Sequence, residues 1–431
     1  MSEPIKTFYI VTLGCKVNQY ESQAVRESWI ARGYSEVDRP EAASVVLVNS
    51  CAVTSRAMND VMRTIRRLHR DAPDAELIVT GCAAQADPDR LAGMDGVSRV
   101  ISQKNKATLT RAEPGSGEAP PGFPALTISD FNRARAVLKV QDGCSHGCTY
   151  CIIPLTRGKS VSRPAAEITA EADRLFRTGV REITLCGINL RQFGRDLSPR
   201  MDFWDLVRKL DRELAPEWAG RARLRISSLE PADLTDKALD VLAGSDLICP
   251  HLHISLQSGS RSVLKRMGRG HYTPEMVSDF LVHLRRIWPI FALGADILMG
   301  FPGETEQEFR TTLEFCRSLP LSYAHVFPFS PRPGTAAADF PNQIPEHIRR
   351  ERAAMVREAI EPGRREFLDR ISRLKELDVV LEQSLRGMCQ YYVECRLTAP
   401  PLEAGPRDLI RVHPERVEKN EILSTPLPPH L

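Results

Sequence analysis

Strand-like apolar runs alternate with helical patterns along most of this chain, and this alternation limits its fold more than any other feature. In the first segment the runs TFYIVTL, SVVLVN, ELIVTG and VSRVI predict strands at 7–13, 44–49, 76–81 and 97–101. Helical patterns lie between them at 20–33 and 54–69. Such alternation is typical of a parallel sheet covered by helices on its faces, so we expect an α/β fold.

The alternation resumes after a proline- and glycine-rich stretch at 113–125, which we expect to be an interdomain tether. Six strand–helix units follow, with strands expected at 136–141, 181–186, 223–227, 251–256, 293–298 and 323–328. Helices are expected at 165–178, 203–214 and 274–287. Six units predict an incomplete, laterally open barrel that can admit a macromolecular substrate, with its chemistry on the loops after the strands.

The last segment begins with a charged helix over 345–377 and ends in β-like runs at 379–383, 389–397 and 409–413. Turn residues separate these runs, which indicates a small antiparallel barrel or a hairpin. Because 431 residues exceed one typical core, we expect several domains. Their expected bounds are 1–128, 129–360 and 361–431.

The composition is that of an ordinary globular protein, and a net charge of +3 does not by itself indicate nucleic acid. The beginning of the sequence lacks the apolar region of a signal peptide. The longest apolar stretch, 287–301, is interrupted by Pro289, Gly294 and Asp296, which excludes a membrane span there. Eleven cysteines without an export signal indicate a reducing compartment, so we expect a cytoplasmic protein with no membrane partner.

Six of the 11 cysteines form two sets of three, and each set is one ligand short of a closed metal site. The local set lies in CSHGCTYC and consists of Cys144, Cys148 and Cys151. The dispersed set, each member just past a predicted strand, consists of Cys15, Cys51 and Cys82. Ligands bind outside the carboxyl ends of strands in open parallel sheets, so the dispersed set should converge. Three thiolates leave one iron of a [4Fe–4S] cluster open, although a Cys₃His zinc site with His146 remains the alternative for the local set.

The run CSHGCTYC, with an aromatic residue before its last cysteine, resembles the signature of the radical S-adenosylmethionine (SAM) superfamily. The likeness narrows to the methylthiotransferase family through TLGCKVNQYES, VNSCAVT and TGCAAQ in the first segment. The second segment carries, in the family's order, LCGINL, RISSLEP, HLHISLQSGS, LKRMGRGH, DILMGFPGET and FPFSPRPGT. The stretches CKVNQY and GINL are most similar to the branch that acts on N6-threonylcarbamoyladenosine beside the anticodon of tRNA.

This resemblance implies a radical SAM core at 129–360, an N-terminal methylthiotransferase domain and two [4Fe–4S] clusters with SAM as cofactors. The dispersed cysteines would hold an auxiliary cluster that carries the inserted sulfur, and the local cysteines would hold the radical-generating cluster. A methylthio group would be delivered to C2 of N6-threonylcarbamoyladenosine at position 37. The implied partners are the anticodon stem-loop of tRNA, a one-electron reductant such as flavodoxin, and a sulfur donor. Residues 379–431 would be a divergent form of the family's RNA-binding β-barrel, the TRAM domain.

Polar and glycine residues that follow the predicted barrel strands are candidates for contacts to SAM. With Tyr150, which would pack beside the adenine, they are Gly187, Asn189, Ser227, Gln257, Ser258 and Gly300. Side chains of Asn, Gln and Ser offer donors and acceptors to a hydroxyl-rich ligand, although ordinary turn chemistry is the alternative. The remaining cysteines are expected to be small buried side chains, and they are Cys186, Cys249, Cys316, Cys389 and Cys395.

Two groups of basic residues can track phosphates, although a basic helix face is more often merely solvated. One group lies on a predicted helix and consists of Arg63, Arg66, Arg67, His69 and Arg70. The other lies near barrel loops and consists of Lys159, Arg163, Lys265, Arg266 and Arg269. Three alternatives to the leading assignment stay open: a methylthiotransferase acting on isopentenyladenosine of tRNA, one acting on an aspartate of a ribosomal protein, or a metal-stabilised RNA-binding protein without catalysis.

Overall fold

A computed structural model of the chain describes residues 6–111, 117–118, 122–124, 126–401 and 403–428. Much of the expected tether at 113–125 therefore lies outside the described residues. The chain divides into two compact units. The first comprises Met1–Ser129, Gln141–Arg163 and Ser330–Ala338, and the second comprises Asp130–Val140, Pro164–Phe329 and Asp339–Leu431. Both cysteine sets belong to the first unit, while the expected three-domain division stays a prediction.

Nineteen strands and twelve α-helices are found among the described residues. The strands are β1 (Thr7–Thr12), β2 (Ser35–Glu36), β3 (Val45–Ser50), β4 (Glu76–Gly81), β5 (Val97–Ser102), β6 (Ala136–Lys139), β7 (Gln141–Asp142), β8 (Val161–Ser162), β9 (Glu182–Cys186), β10 (Arg223–Ile226), β11 (Ser228–Leu229), β12 (His251–Gln257), β13 (Ala292–Met299), β14 (Tyr323–Pro328), β15 (Leu377–Gln383), β16 (Arg386–Cys389), β17 (Glu394–Leu397), β18 (Leu409–Glu418) and β19 (Glu421–Pro426). The helices are α1 (Lys16–Ile30), α2 (Ser55–Asp71), α3 (Cys82–Ala86), α4 (Pro88–Ala92), α5 (Ile153–Arg157), α6 (Ala165–Arg177), α7 (Phe203–Trp218), α8 (Asp236–Ala243), α9 (Arg261–Arg266), α10 (Pro274–Ile287), α11 (Glu306–Ser318) and α12 (Glu346–Ile371).

The first unit contains a parallel sheet with strand order β2-β1-β3-β4-β5, which confirms the expected architecture. Strand β3 is buried at every position, as its run of β-branched residues requires at the centre of a covered sheet. Helix α2 buries the apolar stripe of Met58, Val61, Ile65 and Leu68. Helix α1 begins four residues earlier than expected, and Cys15 is its N-cap.

The second unit carries the six expected barrel strands, all parallel where they pair, which confirms the α/β barrel-type arrangement. They form a sheet of order β10-β9-β6 and a sheet of order β11-β12-β13-β14. The short strand β11 was not expected; it pairs with β12 after the third predicted strand has ended at Ile226. The carboxyl ends of these strands therefore provide the loops that the sequence assigns to chemistry.

The C-terminal segment is a closed barrel with strand order β15-β16-β17-β19-β18. The prediction of a single strand at 389–397 is wrong. The chain turns between β16 and β17, where Tyr392 has a φ of 60°. Strand β19 lies in the proline-containing tail and was not expected. Its pairing with β17 is parallel, so the barrel is not wholly antiparallel. The charged helix α12 ends at Ile371, six residues before the expected end, because β15 begins at Leu377.

Buried ion pairs join this barrel to the parallel strands of the same unit. Glu182 on β9 accepts hydrogen bonds from Arg223 at 2.7 Å and from Arg225 at 2.8 Å. Both guanidinium groups also donate to backbone carbonyls of the barrel, at Asp378, Met388, Cys389 and Gln390. Burial would raise the pKa of Glu182, but the two arginines outweigh it and hold that pKa well below its usual range. The β-barrel is thus fixed to strands β9 and β10.

No helix within the described ranges is both long enough and apolar enough to cross a membrane.

Candidate metal centres and strand-end residues

The dispersed cysteines follow three neighbouring strands of the parallel sheet. Cys51 directly follows the central strand β3, Cys82 directly follows β4, and Cys15 lies three residues past β1. Because β1, β3 and β4 are adjacent and parallel, their carboxyl ends lie side by side. The predicted convergence of this set is confirmed, whereas its role as a ligand set stays a prediction.

Gly14 brings the loop before Cys15 against Cys51. A Cβ atom placed on Gly14 would lie 2.7 Å from the Cβ of Cys51 and 2.9 Å from its Sγ, which no side chain tolerates. Gly14 also has a φ of +98°, where a Cβ is strained. The loop is tied to both strands by the side-chain amide of Asn18, which donates to the carbonyls of Leu13 at 2.8 Å and Ser50 at 3.0 Å. Two residues of the motif TLGCKVN therefore position the cysteines.

Arg157, at the end of α5, lies fully buried among polar groups of the first unit. Its guanidinium donates to Glu21 at 2.9 Å, to Asp142 at 2.9 Å and to the side-chain oxygen of Asn18 at 2.7 Å. Burial would lower its pKa, but Glu21 and Asp142 outweigh that effect, so the pKa of Arg157 is raised well above its usual value. The thiolate forms of Cys82 and Cys15 would raise it further. Arg157 is therefore a permanent positive charge beside the dispersed cysteines.

Lys106 and Arg332 add two more buried cations near these thiols. Lys106 donates to Glu21 at 2.6 Å and to Asn49 at 2.9 Å. Its pKa is lowered mainly by burial, opposed by Glu21 and by a thiolate at Cys82. Burial also lowers the pKa of Arg332, against the effect of a thiolate at Cys51. Each cysteine of the dispersed set thus interacts electrostatically with at least one buried cation.

The environment of the dispersed set fits an anionic, thiolate-bound cluster. Burial raises the pKa of Cys51 to about 11, with smaller contributions from Cys82 and Cys15, and Arg157 acts against them. The proton of such a thiol is displaced only by a strong competitor for the sulfur, such as a metal ion. Glu21 and Asp142 already balance the charges of Arg157 and Lys106, so Arg332 is the cation among these three that remains to offset the charge of the thiolates. Sequence reasoning missed these cations because lysine and arginine are seldom fully buried.

The local set sits on a loop that the short pair β7 and β8 closes at its base. The side chain of Gln141 donates to the carbonyls of Asp142 and Gly143, both at 2.7 Å, and to the hydroxyl of Ser160 at 2.8 Å. Within the loop, the backbone N–H of His146 donates to the Sγ of Cys144 at 3.4 Å, and that of Cys151 to the carbonyl of Cys148 at 3.1 Å. An N–H donor to sulfur stabilises a thiolate, so this loop also fits a cluster.

Two of the seven expected SAM-contact residues have features of a ligand site. The hydroxyl oxygen of Ser227, just past β10, is a buried atom with no hydrogen-bond partner among the described residues. Gln257, the last residue of β12, has a φ of 63°, a strained conformation that is often found at functional sites. Both lie at carboxyl ends of barrel strands.

Three of the other five expected contact residues have visible structural roles. Ser258 is fully buried and bonds to Thr312 at 3.0 Å, while Asn189 caps a turn by accepting from the N–H of Arg191. Gly300 has a φ of +72° and packs against Arg349. The remaining two are half-buried residues, Tyr150 in the local cysteine loop and Gly187 directly after β9. The assignment of all seven to SAM stays a prediction.

Sequence reasoning missed two carboxyl groups on the loop after β11. Glu230 accepts from Arg269 at 3.1 Å and from His271 at 3.0 Å through Oε1, while its Oε2 is buried without a hydrogen-bond partner among the described residues. The Oδ2 of Asp233 is in the same situation. Burial, and next the charge of Glu230, raise the pKa of Asp233 to about 7. The motif RISSLEP carried the signal for Glu230, its acidic residue, which directly follows a strand.

The two basic groups differ in exposure. On α2, Arg63, Arg66, Arg67 and Arg70 are all exposed, as a phosphate-binding face requires. In the second group, Arg163 and Arg269 are buried, and Arg266 pairs with Glu308 at 2.8 Å. The expectation that the second group tracks phosphates is therefore wrong for Arg163 and Arg269, because both are buried. For Arg266, whose side chain is 35% exposed, it stays a prediction. Lys159 and Lys265 are exposed. All five remaining cysteines are buried, as expected.

Known proteins resemble this chain along nearly its whole length. The model of the uncharacterized protein family UPF0004 matches residues 7–102, and the model of the Radical SAM superfamily matches residues 138–316. A Chlamydia pneumoniae protein named threonylcarbamoyladenosine tRNA methylthiotransferase MtaB is 35% identical and aligns over 97% of each chain. A Bacillus subtilis protein of the same name is 38% identical over 79% of this chain and 77% of its own.

Two further comparisons bear on substrate and fold. A Syntrophotalea carbinolica protein named tRNA-2-methylthio-N(6)-dimethylallyladenosine synthase is 34% identical over 80% of this chain and 82% of its own. Among solved structures, the radical S-adenosylmethionine methyltransferase TsrM from Kitasatospora setae aligns with a TM-score of 0.54 and 15% identity. That alignment covers 76% of this chain and 74% of the other, and it supports the fold alone.

Proposed function

This chain belongs to the radical SAM tRNA methylthiotransferase family, and we therefore propose that it inserts a methylthio group at C2 of N6-threonylcarbamoyladenosine at position 37 of tRNA. As a member of that family it is a transferase of alkylthio groups that uses two [4Fe–4S] clusters and SAM. The observation that carries the proposal is the 35% identity over 97% of both chains with a relative of that name.

The proposal assigns the two cysteine sets to two different clusters. Cys15, Cys51 and Cys82 would hold the auxiliary cluster, and Cys144, Cys148 and Cys151 would hold the radical-generating one. Together with SAM, the clusters supply the sulfur, the electron and the radical that insertion into an unactivated C–H bond requires. Acid–base catalysis alone cannot do this, because such a carbon carries no acidic proton.

The protein's own groups have three supporting roles in this proposal. Arg332 offsets negative charge at the auxiliary site, while Arg157 and Lys106 lie beside the thiols within a charge-balanced group that includes Glu21 and Asp142. Ser227 and Glu230 offer buried acceptor atoms to the donor groups of SAM or of the substrate. The strained Gln257 presents its side chain at the carboxyl end of β12.

The partners follow from the same family membership. The substrate is tRNA, and the exposed arginines of α2 would contact its phosphates in the region of the anticodon stem-loop. A one-electron reductant such as flavodoxin and a sulfur donor complete the reaction, and the enzyme would work in the cytoplasm. The second candidate substrate is isopentenyladenosine, favoured by the 34% identity with the dimethylallyladenosine synthase. The ribosomal aspartate is a third candidate, and the non-catalytic alternative is set aside because the family is one of transferases.

Mass spectrometry of tRNA nucleosides from cells that lack this gene tests the proposal. The 2-methylthio derivative of N6-threonylcarbamoyladenosine should disappear and return when the gene is restored. Genes with Cys82→Ala or Cys148→Ala should fail to restore it, whereas Cys316→Ala, a buried cysteine outside both sets, should succeed. Loss of the isopentenyladenosine derivative alone would assign the other branch, and an unchanged nucleoside profile would refute a tRNA substrate.

A further inference from the structure

Three adjacent strands of the second unit bring two imidazoles and a carboxylate together, away from both cysteine sets in sequence. His253 lies on β12, Asp296 on β13 and His325 on β14, and Asp296 pairs directly with His325 in the parallel register. The Oδ1 of Asp296 lies 3.1 Å from Nε2 of His253 and 3.2 Å from Nδ1 of His325. One potential ligand atom from each residue lies within 4.8 Å of the other two.

The strand pattern places these groups on one face of the sheet. Successive side chains of a strand alternate between faces, so His251 and His253 share a face, as do Tyr323 and His325. Gly294, two residues before Asp296, leaves room for the ring of Tyr323. A Cβ on Gly294 would lie 2.2 Å from Cζ of that ring. The absence of a side chain at Gly294 therefore allows Tyr323 to pack beside the imidazoles.

Tyr323 holds the second nitrogen of His253. Its hydroxyl lies 2.9 Å from Nδ1 of His253 and 2.8 Å from Nε2 of His251. Metal-binding histidines nearly always have the nitrogen that faces away from the metal fixed by such a hydrogen bond. The bond to Tyr323 orients the ring of His253 so that Nε2 faces Asp296 and His325.

The exposed fraction of the three side chains increases from His253 to Asp296 to His325. The side chain of His253 is 7% exposed, that of Asp296 23% and that of His325 56%. A cation can therefore reach the group from the side of His325 and keep water in its remaining positions. The inner side is closed by the packed rings of His251, Tyr323 and Tyr392.

We propose that His253, Asp296 and His325 form a binding site for a divalent cation of the first transition row, such as Zn²⁺ or Fe²⁺. Two ligand atoms that share such an ion at about 2.1 Å lie roughly 3.0–3.4 Å apart, depending on the geometry. The two separations from Asp296, 3.1 and 3.2 Å, lie in that range, and the ligand atoms of the two histidines lie within 4.8 Å of each other. Two imidazoles with one carboxylate are a ligand set that zinc and ferrous iron both accept.

The three residues belong to neither cysteine set, and the proposal does not depend on the chemistry proposed above. The metal would join β12, β13 and β14 through their side chains, in addition to the backbone ladder. A protein with both clusters in place would then hold metal beyond the iron of the two clusters.

Equilibrium dialysis of the cluster-loaded protein against Zn²⁺, followed by metal analysis, tests the proposal. The natural protein should retain one zinc ion per chain, and His325→Ala and Asp296→Asn should retain none at the same concentration. Tyr323→Phe, which keeps the ligands but removes the hydrogen bond to His253, should bind about 10–100-fold more weakly. His283→Ala, an exposed histidine on α10, is the matched control and should bind as the natural protein does.

X-ray absorption at the zinc edge separates this site from the cysteines. Nitrogen and oxygen ligands at about 2.0–2.1 Å are expected, whereas zinc on cysteine would show sulfur at about 2.3 Å. Unchanged cluster iron in each variant shows that the variant has folded. Sulfur ligation, equal zinc retention by His325→Ala, or no retained zinc in the natural protein would overturn the proposal and leave the three residues as a hydrogen-bonded group only.

Discussion

Arg157 donates from Nη1 to Oε1 of Glu21 across 2.9 Å, and both side chains are fully buried. Arg157 ends the helix that follows the local cysteine set, while Glu21 lies on the helix that follows Cys15. One buried ion pair therefore ties together the two segments that carry cysteines of different sets. Lys106 and Asp142 complete the group with one further charge of each sign.

Replacing Arg157 should destabilise the protein strongly. Arg157→Met leaves Asp142 buried without its cationic partner, and removal of one partner from a buried pair typically costs about 3–5 kcal/mol. The urea midpoint, measured without oxygen, should fall accordingly. The double variant Glu21→Gln/Arg157→Met should lose less than the sum of the single variants, because the two residues interact directly.

Arg177→Met is the matched control for that experiment. Arg177 pairs with Asp173 and Glu217 on the surface, where such pairs contribute little to stability. Its midpoint should stay near that of the natural protein. Equal midpoints for Arg157→Met and Arg177→Met would contradict the importance of the buried pair.

Gly14→Ala should remove the iron of one cluster and spare the other. The new Cβ would lie 2.7 Å from that of Cys51, so one of the two loops must move. Gly33→Ala is the matched control for backbone strain without a steric clash. Gly33 has a similar φ of +83°, but no atom lies within 4 Å of the added carbon. It should cost roughly 1–2 kcal/mol of backbone strain and keep all its iron. Iron analysis and Mössbauer spectroscopy of both variants measure the effect, and full iron content in Gly14→Ala would count against it.

Asp233 should make stability fall as pH rises between about 4 and 7. Its pKa is raised by burial, and next by Glu230, from 3.8 to about 7, so the folded state keeps a proton that the unfolded chain loses. The free energy of unfolding should then decrease by up to about 1.4 kcal/mol per pH unit in this window and change no further above it. Asp233→Asn should remove that contribution to the slope. Identical pH slopes for the two proteins would show that Asp233 ionises normally.

The exposed arginines of α2 should contribute to RNA binding through phosphates. Arg67→Gln/Arg70→Gln should weaken tRNA binding and reduce the slope of log affinity against log salt by about 0.7–0.9 per lost contact. Arg285→Gln/Arg286→Gln, on the exposed face of α10, changes the net charge equally and should leave the slope unchanged. The same slope in both double variants would show that α2 is only a solvated face.

Strand positions could be predicted from sequence because β-branched runs are strong local signals. The convergence of Cys15, Cys51 and Cys82 followed from the rule that parallel strands end at one edge. Strand β19 was missed because prolines in the tail argued against a strand. The turn at Tyr392 was missed because the run CQYYVECRL contains no Gly, Pro, Asn or Asp to mark it. Tertiary pairing decided both.

The buried charges around the cysteines could not be predicted because local sequence does not report burial of charged residues. Glu21, Lys106 and Arg157 lie far apart in sequence, and each by itself indicates only a surface residue. The same error was made for Arg163 and Arg269. Their positions near loops suggested contacts with RNA, but both side chains are buried. Only the three-dimensional pairing of opposite charges explains their positions.

The most direct measurement uses the purified enzyme with both clusters, SAM and a reductant, and three anticodon stem-loop RNAs. The RNAs carry N6-threonylcarbamoyladenosine, isopentenyladenosine or unmodified adenosine at the target position, and mass spectrometry follows the product. We predict that the first RNA alone gains the mass of one methylthio group in place of hydrogen. Methylthiolation of the isopentenyl RNA alone, or no product from an enzyme whose iron content is complete, would contradict this account.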